Sequence, residues 1–291
     1  MTKLKQMRNL IKEKELILTA GAHDAISAQL AEEAGFDAIW ASGLGISATH
    51  GVPDASILTM TEFLNSTSII NNSVSLPVIA DCDSGFGNVH NVVHMIKTYE
   101  AAGIAGVCIE DKVFPKRNSF VNSKQTLEEI GEFSIKIKAA KEAQQNEEFI
   151  VIARTEALIS GLGVNEALER AYSYEDAGAD MILIHSKKST SEEIKEFASK
   201  WKGEAPLVIV PTKYPNITFD EIISMRIKMS IYANQSLRAS IQSMSDIYNQ
   251  IINDQSTRKI EHKISSIKKV FQLQGMDNLE KNDKKYTYVQ S

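Results

Sequence analysis

The stretches Asp81-Cys-Asp-Ser-Gly-Phe-Gly-Asn88 and Ile109-Glu-Asp-Lys-Val-Phe-Pro-Lys-Arg-Asn-Ser119 bring carboxylates, lysines and an asparagine close together in the chain. Asp81, Asp83 and Glu110 offer only oxygen donors, which suit Mg²⁺, or Mn²⁺ in its place, better than zinc. Mg²⁺ keeps several waters, so some of these acids are expected to reach it through water. A phosphate- or carboxylate-bearing substrate then needs local positive charge, and Lys116 and Arg154, with Arg117 and Lys213 as further candidates, are the residues placed to supply it. The plainer alternative is a salt-bridged cluster with no ligand.

These residues need elements to position them, and each cluster follows a short apolar run, at 76–80 and 105–109. Similar runs recur at 17–20, 37–41, 149–153, 180–184, 207–211 and 229–233, with amphipathic helical segments at 24–34, 59–71, 88–102, 126–145, 164–177, 190–200, 218–225 and 235–251. Before three strands the pattern Ala-Gly-apolar-Asp/Ala appears, at residues 34–37, 102–105 and 177–180, with glycine where a helix needs a left-handed stop. Eight strand–helix units predict an α/β fold of the (β/α)8 TIM barrel type rather than a doubly wound sheet. Polar residues then stand just after successive strands: Ser42, Asp81 and Asp83, Glu110, Arg154, His185, Thr212 and Lys213, and Asn234. Strand C-termini are where such barrels collect their ligands.

Gly43-Leu-Gly-Ile-Ser-Ala48 has the spacing of a dinucleotide fingerprint, but Thr49-His-Gly-Val-Pro-Asp54 continues as loop and no acidic residue closes the next strand. Ser42 and the glycines are instead expected to form a backbone N–H cradle for an anion. Segments 42–57 and 111–125 are the two long loops after strands and the candidate lids.

A formal net charge of −5 over 291 residues excludes a basic nucleic-acid surface, and no apolar run reaches membrane-spanning length. The N-terminus lacks a signal-peptide core, so the expected compartment is cytoplasmic. Cys82 and Cys108 sit in or beside strands and read as buried thiols. One domain over 1–291 is expected, with an additional amphipathic helix at 257–274 (Ile260, Ile264, Ile267, Val270 and Phe271 on one face) and a frayed tail at 276–291. A barrel has no obvious place for that helix, so it is expected to pack on another subunit of a homodimer or homotetramer.

The segments Ala-Ser-Gly-Leu-Gly, Asp-Cys-Asp-Ser-Gly-Phe-Gly-Asn, Glu-Asp-Lys-Val-Phe-Pro-Lys-Arg-Asn-Ser, Ala-Arg-Thr-Glu-Ala, Ile-His-Ser-Lys-Lys and Val-Pro-Thr-Lys-Tyr closely resemble the phosphoenolpyruvate mutase family, within the isocitrate lyase superfamily. The resemblance runs from about Leu16 to Phe271. It implies a Mg²⁺-bound enolate chemistry, interconversion of phosphoenolpyruvate and 3-phosphonopyruvate, and a C-terminal helix swapped between subunits. It also implies that Ser42, Gly43 and Leu44 hold the carboxylate end, and that Asp81 is the principal metal ligand, with Asp83 and Glu110 acting through water. By the same resemblance Asn118, Ser119, Arg154 and His185 grip the phosphoryl group, Lys116 comes from a gating loop, and Asp54 matches the position proposed as phosphoryl acceptor. The lyases of the superfamily carry Lys-Arg-Cys-Gly-His where this chain reads Lys116-Arg-Asn-Ser119, so their acid–base thiol is replaced by a residue that cannot transfer a proton. Phosphonopyruvate hydrolase, which tends to carry Thr in place of that Asn, is the runner-up. A barrel that binds a carboxylate ligand without catalysis is the alternative from another class.

Overall fold

In a computed structural model, whose described residues are 1–121 and 124–287, the chain divides into two compact units, Met1–Ser236 and Leu237–Ser291. The first is a closed barrel of eight parallel strands in sequential order: β1 Ile17–Ala22, β2 Ala38–Ala41, β3 Val78–Asp81, β4 Gly106–Glu110, β5 Ile150–Thr155, β6 Met181–Ile184, β7 Leu207–Ile209 and β8 Ile227–Tyr232. Pairing of Ile17 with Met229 and of Leu18 with Ser230 closes it. All eight expected strands are present, and the expected helices between them form with ends shifted by a few residues.

Strands buried on both faces read as continuous apolar runs because one face fills the barrel and the other packs against helices. Trp40, Ile79, Cys108, Ile152, Leu183 and Val208 belong to the inner layer. Side chains alternate along a strand, so the next inward position lies two residues on. Those positions are Ser42, Asp81, Glu110, Arg154, His185 and Val210, and in five of the six a polar group replaces the core at the barrel mouth.

The repeated Ala-Gly-apolar-Asp pattern has a second purpose besides the left-handed stop, which Gly35 and Gly178 take with φ of 88° and 99°. The aspartate caps a neighbouring strand: Asp37 Oδ2 accepts the Leu18 amide at 2.9 Å and Asp180 Oδ2 accepts the Val151 amide at 2.8 Å.

Three expectations are corrected. The Gly43–Thr49 segment is a short helix capped by the Ser42 hydroxyl, which accepts the Gly45 amide, so segment 42–57 is loop only in its second half. The expected continuous helix at 257–274 is a 3₁₀ turn at Glu261–Lys263 followed by a helix at Ile267–Leu273, because Ile264 is extended and Ser266 caps a new start. The expected frayed tail instead holds a helix, Met276–Tyr286, separated from the previous one by Gly275 in the left-handed region; positions 288–291 lie outside the described residues. An N-terminal helix, Lys3–Glu13, went unpredicted, although Leu4, Met7, Leu10 and Ile11 recur at helical spacing. No helix among the described residues is long and apolar enough to cross a membrane. Both cysteines are free and buried, and burial pushes both thiols well up.

Asp180 also pairs with Arg8 and Lys141, each at 2.8 Å. Asp180→Ala leaves the Val151 amide without its acceptor and should cost about 2 kcal/mol in urea denaturation, while activity per folded molecule stays unchanged.

Candidate active site

The barrel mouth is a cavity lined by Ser42, Leu44, Asp54, Asp81, Lys116, Asn118, Ser119, Phe120, Arg154, His185 and Asn234, among others. Most of the expected site residues therefore converge from widely separated parts of the chain, whereas Gly43, Asp83 and Glu110 do not line the cavity. The base of that loop is tied by an antiparallel bridge between Lys112 and Leu127, with the Val113 amide donating to the Thr126 carbonyl at 3.0 Å.

From the loop, Lys116 Nζ donates to Asp54 Oδ1 at 2.6 Å and lies 3.1 Å from Asp83 Oδ1. Asn118 Nδ2 donates to Asp54 Oδ2 at 2.6 Å, and its backbone amide donates to the Asp54 carbonyl at 3.1 Å. Burial pushes the Asp54 carboxyl up, but Lys116 and Asn118 outweigh it and hold it below the ordinary range. Asp83 is buried, takes φ of 49°, and accepts Ser56 Oγ at 3.2 Å. Here burial wins over Lys116 and lifts the carboxyl to about 7. Burial tends to neutralise the Lys116 ammonium as well, but Asp83 and Asp54 together raise its pKa well above normal.

Across the cavity, Arg154 Nε donates to Glu156 Oε1 at 2.7 Å and lies 3.3 Å from Glu110 Oε2. Its Nη2 reaches Ser119 Oγ at 3.1 Å and His185 Nδ1 at 2.7 Å. His185 Nδ1 also lies 2.8 Å from Glu156 Oε1, and its Nε2 has no partner among the described residues. Burial, reinforced by Arg154, lowers the His185 pKa against the pull of Glu156. The Phe120 ring meets His185 edge-on with centroids 5.4 Å apart.

Lys112 Nζ lies 2.9 Å from Glu156 Oε2 and 3.5 Å from Glu110 Oε1. Three cations, Lys112, Lys116 and Arg154, thus each bridge two carboxylates. Asp81 alone among the five acids is in no such pair among the described residues: its Oδ2 accepts the Gly43 amide at 3.2 Å. Burial pushes its carboxyl up over the opposing pull of Lys116 and Arg154. Gly43 permits this approach, since a Cβ there would stand 3.0 Å from Asp81 Oδ2.

Some expectations fail in detail. The Gly43 and Gly45 amides are engaged by Asp81 and Ser42, so they do not form a free anion cradle. Arg117 is exposed and Lys213 sits 5.9 Å from the Phe120 ring centroid, and neither lines the cavity. Among the described residues no three His, Cys, Asp or Glu side chains stand close enough to hold a metal by themselves. Sequence reading missed Lys112 and Glu156. Both follow an assigned residue by two positions, Glu110 and Arg154, and that inward-facing parity was the available signal.

Residues 7–252 match the phosphoenolpyruvate phosphomutase family. A phosphoenolpyruvate phosphomutase of Tetrahymena pyriformis is 43% identical over 285 residues, covering 98% of this chain and 95% of that protein. The crystal structure of a phosphoenolpyruvate phosphomutase from Streptomyces platensis subsp. rosaceus superposes with a TM-score of 0.96 at 48% identity, covering 97% of this chain and 99% of its own. That of a phosphonopyruvate hydrolase in complex with oxalate and Mg²⁺ gives 0.93 at 41% identity, covering 98% and 99%.

Removing Lys116 should expose the cost of the acids it bridges. In Lys116→Met the native state holds a proton on Asp54 that the unfolded chain releases near pH 4, so stability relative to the parent falls as pH rises from about 4 to 7. A deficit of about 3–5 kcal/mol at pH 7.5, largely recovered near pH 5, is the expected result of denaturation at both pH values. A deficit independent of pH would show that Lys116 does not hold Asp54 ionised.

Proposed function

This chain belongs to the phosphoenolpyruvate phosphomutase family, and on that premise we propose that it is a Mg²⁺-dependent mutase, interconverting phosphoenolpyruvate and 3-phosphonopyruvate in phosphonate biosynthesis. The loop carries the reading: Lys116, Asn118 and Ser119 enter one cavity with Arg154 and His185, and an asparagine occupies the place of the lyase thiol. A donor set without a proton-transferring thiol suits moving a phosphoryl group rather than cleaving a carbon–carbon bond.

The reaction breaks the bond between enol oxygen and phosphorus, leaves its electron pair on the pyruvate enolate, and forms the bond from C3 to phosphorus. Asn118, Ser119, Arg154 and His185 would hold the phosphoryl oxygens through that exchange, where a loosely bonded transition state gains most from fixed donors. Asp54, kept ionised by Lys116 and Asn118, faces the cavity in the state a phosphoryl acceptor requires. Ser42 and Leu44, which line the cavity on either side of Gly43, would border the carboxylate end of the substrate. Lys116 adds charge at the loop side and Phe120 covers His185.

The residues fit a divalent cation. All candidate donors are oxygens, and Asp81 has no cationic partner among the described residues. Asp81 would hold the ion directly, and Asp83 and Glu110 through water, as suits an ion bound by few protein ligands. Mg²⁺, or Mn²⁺ in its place, supplies positive charge against the enolate oxygen when bound.

The C-terminal unit presents exposed Ile241, Met244, Tyr248, Ile252, Ile267 and Phe271. This supports burial against a second subunit, in a homodimer or homotetramer with exchanged C-terminal helices. Two free, buried cysteines fit a cytoplasmic enzyme.

Phosphorus NMR of the protein with Mg²⁺ and phosphonopyruvate tests the reaction. Phosphoenolpyruvate should form with little free phosphate, EDTA should abolish turnover, and Asn118→Ala should lower the rate by about 10²-fold, the effect of one oriented donor. Phosphate and pyruvate as the main products would promote the hydrolase, whose solved relative shares this fold at 41% identity. Light scattering should give a mass of two or four chains at full length, and deletion of 256–291 should give monomers or aggregates; a full-length monomer would refute the assembly.

A further inference from the structure

Glu156 is fully buried and does not line the cavity, yet every phosphoryl-side donor but Asn118 touches it. Oε1 takes Arg154 Nε at 2.7 Å and His185 Nδ1 at 2.8 Å, while Oε2 takes Ser119 Oγ at 2.5 Å and Lys112 Nζ at 2.9 Å. An ionised carboxylate offers about four acceptor sites; Arg154, Ser119 and Lys112 fill three, and His185 fills the fourth when its Nδ1 carries the proton. Its backbone is fixed too: the Glu156 amide donates at 2.8 Å to Asp111 Oδ1, and Asp111 Oδ2 accepts Tyr174 Oη at 2.7 Å and Arg170 Nη1 at 3.2 Å.

The four partners divide into two sets. Arg154 and His185 stand at the ends of β5 and β6, in the rigid barrel. Ser119 belongs to the loop, and Lys112, at the loop's base, also donates to the Arg117 carbonyl at 3.0 Å and to Ser119 Oγ at 2.7 Å. One carboxylate therefore ties the loop to the barrel's phosphoryl donors. With Nδ1 turned to Glu156, the Nε2 of His185, itself a cavity-lining residue, has no partner among the described residues. When the loop leaves, Oε2 loses the Ser119 hydroxyl and is left with Lys112 alone, and Arg154 loses a contact at Nη2.

We infer that Glu156 is the positioning residue that couples closure of the segment carrying Lys116, Asn118 and Ser119 to the alignment of Arg154 and His185 on the phosphoryl group. Substrate grip and lid closure are then one event. The closed loop completes the shell of Glu156, and the oriented donors hold the group that keeps the loop down. This assignment rests on the phosphoryl-transfer reading above, except for the state of the loop, which is measured without substrate.

Glu156→Gln keeps the size of the side chain and removes its charge and half its acceptors. Three readouts on the full-length protein with Mg²⁺ separate positioning from a general loss of structure. Trypsin cleavage after the exposed Arg117 should accelerate about tenfold without substrate, and phosphonopyruvate should no longer protect. The KM for phosphonopyruvate should rise at least tenfold and kcat fall, while affinity for oxalate, which carries no phosphoryl group, stays within about threefold. Ser119→Ala should weaken phosphonopyruvate in the same direction, and the double variant should be no worse than the poorer single one. If Glu156→Gln does not fold, the neutral pair Lys112→Met with Glu156→Gln removes the buried charge imbalance, and the same three readouts apply to it. Unchanged cleavage at Arg117 with additive losses in the double variant would overturn the inference. A lowered melting temperature with KM, oxalate affinity and cleavage all as in the parent would also overturn it. Failure of the phosphoryl reading is distinguishable, because the unmutated protein would then yield neither mutase nor hydrolase products.

Discussion

Charge buried at the end of a barrel must be neutralised locally, and that constraint shapes everything above the core of this protein. Desolvation costs several kcal/mol per ion, so an isolated carboxylate there would take up a proton. The chain answers with cations that each bridge two acids: Lys116 between Asp54 and Asp83, Arg154 between Glu110 and Glu156, and Lys112 between Glu110 and Glu156. Where bridging is strong the acid stays ionised, as in Asp54 and Glu156; where burial dominates, as in Asp83, the carboxyl is lifted to about 7. Asp81 stands outside the bridges, held by one backbone amide. The lattice is thus short of positive charge at one defined place.

That lattice explains why the fold was so legible from the chain. Parallel strands buried on both faces leave an apolar, β-branched signature, and the parity of the inner layer carries straight into the site: Ile79 to Asp81, Cys108 to Glu110, Ile152 to Arg154, Leu183 to His185. A residue type that breaks the apolar run at an inward position must have a partner or a ligand. Spacing alone therefore located most of the mouth, and the repeated Ala-Gly-apolar-Asp stops fixed where strands begin.

What spacing could not give was the partner of each charge. Lys112 and Glu156 obey the same parity as their neighbours, but their roles depend on contacts between β4, β5, β6 and the loop that no local pattern encodes. The glycines at 43 and 45 mislead for a related reason. Glycine allows either an open amide cradle or close packing, and here the space beside Gly43 is taken by Asp81 and that beside Gly45 by His23. The C-terminal stripe was visible as apolar spacing, but its interruption at Ile264 and Gly275 turns on backbone conformation, which an apolar stripe does not report.

The loop has an inside and an outside of opposite character. Lys116, Asn118 and Ser119 turn polar groups onto the acids of the mouth, whereas Val113, Phe114, Phe120 and Val121 remain exposed to different degrees around 40–50%. Its inner contacts are charge-assisted and worth most when water is absent, so each one formed strengthens the others by lowering the local dielectric. An enolate and a phosphoryl group held side by side need the same dryness, because water competes with C3 for phosphorus. A mutase and a hydrolase relative superpose on this chain with TM-scores of 0.96 and 0.93, so the barrel they share does not decide the product. Under the proposed reaction, the electrostatic shell that makes burial of these charges tolerable would also be what keeps water from the reacting pair.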